Sequence, residues 1–263
     1  MLLEEIPVEI WLEIFRYLGT IDLYRAFYNL NTRINTILSH IHLYFDLNAD
    51  DECSPLIIYA FEQQIYSLRL SSNAITVFYS VFTLTQFNNL SKLKLVDILS
   101  EQYDHITLEL LTLKHLKYLD LTTSEKGGSY NCDQILKIST LKSCYLGFYY
   151  LDCLRFSMSA SIFTPSLVEC LIIKLLYVDD VYKFLLHMPK LKRLTVIGRS
   201  SKDGEENNSS ILILPSLVCF RLIIRECGTW NFERLDSLLI CFPKLNSFEF
   251  MNYGNDFRDD HWW

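Results

Sequence analysis

The chain reads LSKLKL at residues 90–95 and LKYLDL at residues 116–121, two copies of one apolar-x-x-apolar-x-apolar pattern. Such alternation is typical of a strand that buries one face. Eight copies can be aligned, and their middle apolar residues fall at positions 68, 93, 119, 144, 170, 194, 220 and 248. A period near 26 residues predicts a repeat architecture, in which neighbouring units bury each other.

Proline follows the same period. Four of the six prolines stand two residues before the first apolar residue of a copy: Pro165, Pro189, Pro215 and Pro243. This is where a helix has ended and a strand has not yet begun to donate ladder hydrogen bonds. Apolar residues at helical spacing lie between copies, as at Ile75, Phe78 and Phe82. Each unit is therefore predicted as strand, turn and helix.

The spacing and the L-x-x-L-x-L core resemble the leucine-rich repeat family over roughly residues 62–253. The resemblance implies an α/β leucine-rich-repeat-like solenoid over residues 48–263, with a parallel sheet, outer helices and about eight irregular repeats. Three residues past the pattern, where the family usually has Asn or Cys, the chain has residues such as Ile98 and Leu175. The segments 147–164, without a clear helix, and 200–210, a polar loop, are expected to be irregular.

Residues 1–47 do not fit the repeat, and their pattern is helical throughout. Pro7 suits a helix start, and apolar residues then recur at i, i+4 and i+8 at Ile10, Ile14 and Leu18, with Trp11 and Phe15 widening the stripe. Gly19 ends this helix, and Thr20 and Asn31 are expected to begin two more. The sequence predicts a small three-helix unit with a broad apolar face.

The residues of the first two helices resemble the F-box, whose usual form is Leu-Pro-x-Glu-(Ile/Leu), then Ile-(Phe/Leu)-x-(Tyr/His)-Leu, then Asp-Leu. The match runs from Ile6-Pro7 to Asp22-Leu23, with Ile6 in place of the usual leucine. The resemblance implies an F-box-like helical domain at residues 1–47 that binds the Skp-family adaptor and, through it, a cullin. The contacts that it implies are Pro7, Ile10, Ile14, Leu18 and Leu23.

An F-box followed by leucine-rich repeats resembles the substrate-recognition subunits of SCF-type ubiquitin ligases. The expected function is therefore an adaptor without catalytic activity, which holds a protein substrate on its repeats. One alternative is a leucine-rich-repeat scaffold with no ligase role, whose N-terminal helices only cap the solenoid. A second alternative, an enzyme built on the solenoid, would need a cluster of titratable groups on the sheet or in segment 147–164.

The expected substrate surface is the concave face of the sheet, because residues between the inward apolar ones point outward. The outward residues of its first turns are mostly basic, which favours an acidic or phosphorylated ligand. The alternative is an ordinary solvated face, which explains the same charges. The candidate substrate-binding residues are Arg69, Lys94, Asp120, Tyr145, Arg193 and Arg221.

Composition excludes several other classes. The net charge is −7 and the 24 lysines and arginines form no cluster, so nucleic acid is not an expected partner. No signal peptide or span of about 20 apolar residues is found, so we expect no membrane association and an intracellular protein, in the cytoplasm, the nucleus or both. The eight cysteines form no close CxxC pair, and His40 and His42 are expected on the surface. We expect no metal site and no cofactor.

Overall fold

The computed structural model of the protein describes residues 5–47, 55–123, 130–148, 154–155, 165–177, 185, 188–199, 214–225, 236 and 239–253. The chain divides into two compact units. Unit 1 is Met1–Val96 with Thr112–Leu116, and unit 2 is Asp97–Leu111 with Lys117–Trp263. The predictions for most of segment 147–164 and for segment 200–210 fall outside the described residues.

Unit 1 opens with three helices and continues with strands that alternate with short helices. The helices are α1 (Val8–Arg16), α2 (Thr20–Phe27), α3 (Thr32–Leu38), α4 (Pro55–Phe61) and α5 (Ser72–Tyr79). The strands are β1 (Leu43–Leu47), β2 (Ile65–Ser71) and β3 (Lys92–Ile98), of which residues 92–96 belong to unit 1. Single 3-10 turns lie at Glu62–Gln64 and Leu84–Gln86.

The first helix is held by aromatic packing. Trp11 and Phe15 are each 2% exposed, and their ring centroids lie 5.6 Å and 5.2 Å from that of Phe27 in α2. Edge-on contacts at these separations add to the free energy gained by burying the rings. The residues predicted to widen an apolar stripe therefore form the buried side of α1.

The other helix starts follow local hydrogen bonding. Asn31 caps α3 as predicted, because its side chain accepts a hydrogen bond from the backbone N–H of Ile34 at 2.8 Å. Thr20 is not the cap of α2: the helix begins at Thr20 itself, and its hydroxyl donates to the carbonyl of Tyr44 at 2.8 Å. This hydrogen bond ties α2 to the first strand.

The prediction that residues 1–47 are helical throughout is wrong at their end. Leu43–Leu47 form strand β1, with Leu43, Phe45 and Leu47 buried and the two residues between them exposed. β1 pairs in parallel with β2, which pairs in parallel with β3, so the order in unit 1 is β1-β2-β3. One strand thus precedes the eight copies of the pattern.

Unit 2 holds the later copies. Its helices are α6 (Ser100–Leu110) and α7 (Asp133–Leu136). Its main strands are β4 (Tyr118–Thr123), β6 (Ser143–Phe148), β8 (Cys170–Tyr177), β9 (Arg193–Arg199), β10 (Cys219–Arg225) and β11 (Ser247–Tyr253), all parallel to their neighbours in that order. Two short strands, β5 (Tyr130–Asn131) and β7 (Leu154–Arg155), pair with each other.

The middle apolar positions fall in register between neighbouring strands. Leu68 pairs with Leu93 in unit 1, and Leu194 pairs with Phe220 in unit 2. Nine of the eleven described strands therefore pair in parallel in these two orders, three in unit 1 and six in unit 2, with helices between several of them, and β5 and β7 pair in parallel with each other. The predicted α/β class is confirmed.

The fifth copy is shifted by one residue from its predicted alignment. Cys144 pairs with Leu171, not with Cys170; Leu171 and Ile173 are buried in β8, and Val168 is buried just ahead of it. The preceding turn is one residue longer than Pro165 suggests, because Ser166 is buried and its hydroxyl accepts a hydrogen bond from the N–H of Val168. Cys170 is consequently an outward position.

None of the described helices combines the length and the apolar character needed to cross a membrane. The longest of them, α6, has 11 residues.

We expect Phe15→Ala to lower the free energy of unfolding by about 3–5 kcal/mol, because it opens a cavity among three packed rings. Ile14→Ala is the matched control, since its side chain is 37% exposed on the same helix; its loss should stay below about 1 kcal/mol. Urea unfolding followed by far-UV circular dichroism measures both. Equal losses in the two variants would contradict the placement of α1.

The shifted register of β8 gives a second comparison. Leu171→Ala should cost about 2–5 kcal/mol, because Leu171 is fully buried, whereas Cys170→Ala should cost less than about 1 kcal/mol. Thermal unfolding of the two variants ranks them. A larger loss for Cys170→Ala would restore the alignment predicted from the prolines.

Candidate partner-binding surfaces

Helix α1 exposes apolar residues on the sides that do not face α2. We call this surface the α1 face, and its exposed fractions run from 37% to 86% over Val8, Ile10, Leu12, Ile14 and Tyr17. Ile10, Ile14 and Tyr17 follow at i, i+4 and i+7, so they line one flank of the helix. An exposed apolar flank of this kind is typical of a protein-binding site. Val8 and Leu12 lie on the other side of the polar residues of α1.

The polar residues of α1 are confined to one narrow stripe. Glu9, Glu13 and Arg16 occupy it, and the Arg16 guanidinium donates to the Glu13 carboxylate at 2.7 Å. Both side chains of this pair are more than half exposed, so the pair adds little to stability. The helix is thus apolar around most of its circumference although only Trp11 and Phe15 are buried.

The five predicted adaptor contacts do not share one environment. Pro7, Ile10 and Ile14 are exposed and Leu18 is half-buried, which is compatible with contact to a partner. Leu23 is only 2% exposed, so the structure corrects its assignment from a surface residue to a core residue. The reason is that Thr20 and Leu23 lie on the buried side of α2, where the Thr20 hydroxyl is hydrogen-bonded to the backbone of β1.

The outward side of β1, β2 and β3 is the polar sheet face of unit 1. In register, Asp46 pairs with Arg69, and Arg69 pairs with Lys94. The Arg69 guanidinium lies 3.0 Å from the Asp46 carboxylate. The predicted residues Arg69 and Lys94 are therefore brought together, and Asp46 offsets one of their charges.

Two of the candidate residues in unit 2 are buried instead of exposed. Asp120 and Tyr145 are paired in register on β4 and β6 and are 2% and 9% exposed. The Tyr145 ring lies against Gly147, where an added Cβ would come within 2.7 Å of the ring. Only glycine, which has no Cβ, leaves room for the ring at this distance. The Tyr145 side chain therefore packs against its own strand and is not presented to a ligand.

The two arginines of unit 2 differ in their surroundings. Arg193 is exposed, and it lies in register between Cys170 and Cys219. Arg221 is half-buried, and its guanidinium lies 3.0 Å from the Glu249 carboxylate on the neighbouring strand. As in unit 1, an outward arginine is matched by an acid one strand away.

Glu169 lies between two lysines in a second charged row, just before the strands of unit 2. Its carboxylate lies 2.6 Å from the Lys192 ammonium and 3.4 Å from that of Lys142. The hydrogen bond from Lys192 and the charge of both lysines lower the pKa of Glu169. The backbone of Glu169 is hydrogen-bonded to that of Lys142 and of Lys192, just ahead of the strands.

The cysteines and histidines of the described residues have structural surroundings. Cys144 is buried as predicted, and burial raises the pKa of its thiol, which disfavours the reactive thiolate. Cys170 and Cys219 are half-buried, while His40 and His42 are exposed as expected. Within the described part of the chain, no three His, Cys, Asp or Glu side chains are grouped so that they could hold a metal ion.

The sequence did not single out several residues near the predicted basic ones. These are Tyr44 and Asp46 on β1, and Tyr66 at the start of β2. The alternation of buried and exposed residues in Leu43–Leu47 is the signal that identifies β1. Unless β1 is identified, the sequence gives no reason to expect Asp46 beside Arg69.

Comparison with known proteins gives no family model that matches this chain, and no curated protein that matches it.

The charged row of Glu169 predicts a measurable titration. The carboxyl resonance of Glu169 should titrate below the ordinary glutamate pKa of about 4.3, because the charged form is stabilised by two lysines. The contribution to stability is therefore present above that ordinary pKa and is lost as pH falls through the lowered one.

Lys192→Met should move the Glu169 midpoint back towards the ordinary value, as followed by carbon-detected NMR. Lys190→Met is the matched control, because Lys190 is exposed two residues away. An identical Glu169 midpoint in the two variants would mean that the pair with Lys192 does not form in solution.

Proposed function

We propose that the protein is the substrate-recognition adaptor of an SCF-type ubiquitin ligase. In this proposal an F-box-like helical domain binds a Skp-family adaptor and, through it, a cullin. A leucine-rich-repeat-like solenoid then holds a protein substrate, and other subunits transfer the ubiquitin. The chain itself has no catalytic role, and its place of action is the cytoplasm or the nucleus.

The observation that carries the proposal is the α1 face. Ile10 and Ile14 are 50% and 37% exposed, although they belong to a helix whose aromatic residues are packed inside. Burying such side chains against a partner is worth about 1.5–3 kcal/mol each when burial is complete. The motif residues Pro7, Ile10 and Ile14, which the F-box resemblance assigns to adaptor contact, are all on the surface.

The regular pairing of the strands supports the solenoid part of the proposal. Strands β2 and β3 pair through middle apolar positions that are 25 residues apart, and β4 and β6 likewise through Leu119 and Cys144. A unit of this length supplies one strand and one crossover to its neighbour. Stacking of such units buries their apolar rows and leaves one polar sheet face for a substrate.

The proposal is tested with the full chain and a purified Skp-family adaptor. We expect a stable complex in size-exclusion chromatography, and a loss of affinity of about 100-fold on Ile14→Asp, because a carboxylate would be forced into an apolar contact. Isothermal titration calorimetry measures the affinities. Val77→Asp is the matched control, since Val77 is 64% exposed on α5 of the same unit.

Two results would contradict the ligase assignment. One is the absence of a complex between the intact, folded chain and the adaptor. The other is equal weakening by Ile14→Asp and Val77→Asp, which would mean that the α1 face is not the contact surface.

A scaffold without ligase function is the second candidate, and it has its own support in unit 1. The Tyr24 and Tyr28 rings of α2 lie 5.9 Å and 5.6 Å from Phe61 of α4, and Thr20 is bonded to β1. The helices are therefore packed onto the elements that follow them, as a cap would be. This candidate expects a chain that is folded and binds no adaptor.

A further inference from the structure

One part of the unit 1 sheet face combines exposed and half-buried aromatic rings with cations. We call it the aromatic–basic patch and define it by His42, Tyr44, Tyr66, Arg69 and Lys92. The Tyr66 ring lies 5.0 Å from the ring of His42 and 6.1 Å from that of Tyr44, measured between centroids. The Lys92 ammonium lies 5.9 Å from the Tyr66 centroid, at the outer limit of a cation–π contact.

The strand register keeps these groups close together. Tyr44, Ser67 and Lys92 form one row across the three strands, and Asp46, Arg69 and Lys94 form the next. Neighbouring strands are about 4.8 Å apart, and alternate residues on one strand are about 6.6 Å apart. The two rows therefore fit within the length of a few residues of an extended peptide.

The cations of the patch are partly ordered before any ligand binds. Arg69 is held by Asp46 at 3.0 Å, and 44% of its side chain is still exposed. A guanidinium has five N–H donors in a fixed plane, so one ion pair leaves donors for another anion. Ordering the side chain in advance lowers the entropy cost of binding.

The charge of this face is opposite to that of the whole protein. Arg69, Lys92 and Lys94 share these two rows with the acid Asp46, while the chain carries a net charge of −7. An acidic ligand is therefore repelled by most of the protein and attracted here. Three cations are too few to hold a nucleic-acid backbone, whose binding depends on many phosphate contacts made together.

The aromatic side chains define the remaining chemistry. Tyr44 is 60% exposed, which leaves a large part of its ring in contact with water on the outward side of β1. Tyrosine offers a flat contact surface at low entropy cost, together with a hydroxyl that can form hydrogen bonds. A ligand that contributes only charge would leave this surface in water.

We propose that the aromatic–basic patch binds an acidic peptide segment of a protein partner. Carboxylates of the segment pair with Arg69 and Lys92, and an apolar or aromatic side chain of the segment packs on Tyr44 and Tyr66. This inference rests on the proposed role of the sheet in holding a protein substrate, but it does not depend on adaptor binding.

The test uses the full chain and a short fluorescein-labelled random copolymer of glutamate and tyrosine, followed by fluorescence anisotropy at low salt. We expect saturable binding that weakens as salt screens the charges. Arg69→Gln with Lys92→Gln should weaken it about tenfold, because two charge-assisted contacts are lost. Lys114→Gln with Lys190→Gln removes the same charge at two exposed lysines outside the patch and should leave the affinity within about twofold.

A second pair of ligands tests the aromatic part. Labelled polyglutamate should bind more weakly than the glutamate–tyrosine copolymer to the native chain, and Tyr44→Ser should remove this difference. Circular dichroism of each variant shows whether it is folded, and Tyr44→Phe should keep the preference for the copolymer. If Tyr44→Ser does not fold, Arg69→Gln with Lys92→Gln still tests the patch, and a lost preference in Tyr44→Phe would contradict packing on the ring.

The inference is overturned if the folded native chain does not bind the copolymer, or if both double variants weaken binding equally. Tighter binding of polyuridylate than of the copolymer would overturn it in favour of RNA. The adaptor experiment separates the two proposals: copolymer binding without adaptor binding keeps the patch and removes the ligase role. Adaptor binding without copolymer binding removes only the patch.

Discussion

The burial of one apolar row per strand is the constraint on which the rest of the structure depends. Leu68 and Leu93 in unit 1, and Leu194 and Phe220 in unit 2, meet their neighbours in register and are buried. The intervening residues must then lie about 4.8 Å from their counterparts on the next strand. Charges at that separation are tolerated when their signs alternate, as for Arg221 and Glu249.

The period of the leucines was sufficient to predict parallel strands, because each copy repeats the same buried triplet. The exact register of β8 could not be predicted, because Pro165-Ser166-Leu167 has the same pattern as the turns before other strands. The longer connection is recognised only in the structure, where Ser166 is buried and accepts a hydrogen bond from Val168. Strand β1 was missed for a different reason. It follows three helices, and neither a proline nor a complete apolar-x-x-apolar-x-apolar copy marks its position.

The candidate surfaces were predictable only in part. In α1, apolar residues occur on nearly every side, so the sequence cannot decide which of them pack inside; the contact between Phe15 and Phe27 decides it. Leu23 fits the F-box motif and is nevertheless buried. On the sheet, the outward positions were predictable from alternation, whereas the burial of Tyr145 depends on a glycine two residues further along.

The hydrogen bond between Thr20 and the Tyr44 carbonyl has a consequence for how the protein behaves in concentrated solution. Among the described strands, β1 has β2 as its one neighbour, so its other edge is open to pairing with a further strand. The Thr20 hydroxyl donates a hydrogen bond to a backbone carbonyl of β1, which holds α2 beside this strand. The helices thereby shield a strand edge that would otherwise invite aggregation, whatever partner their outer surface binds.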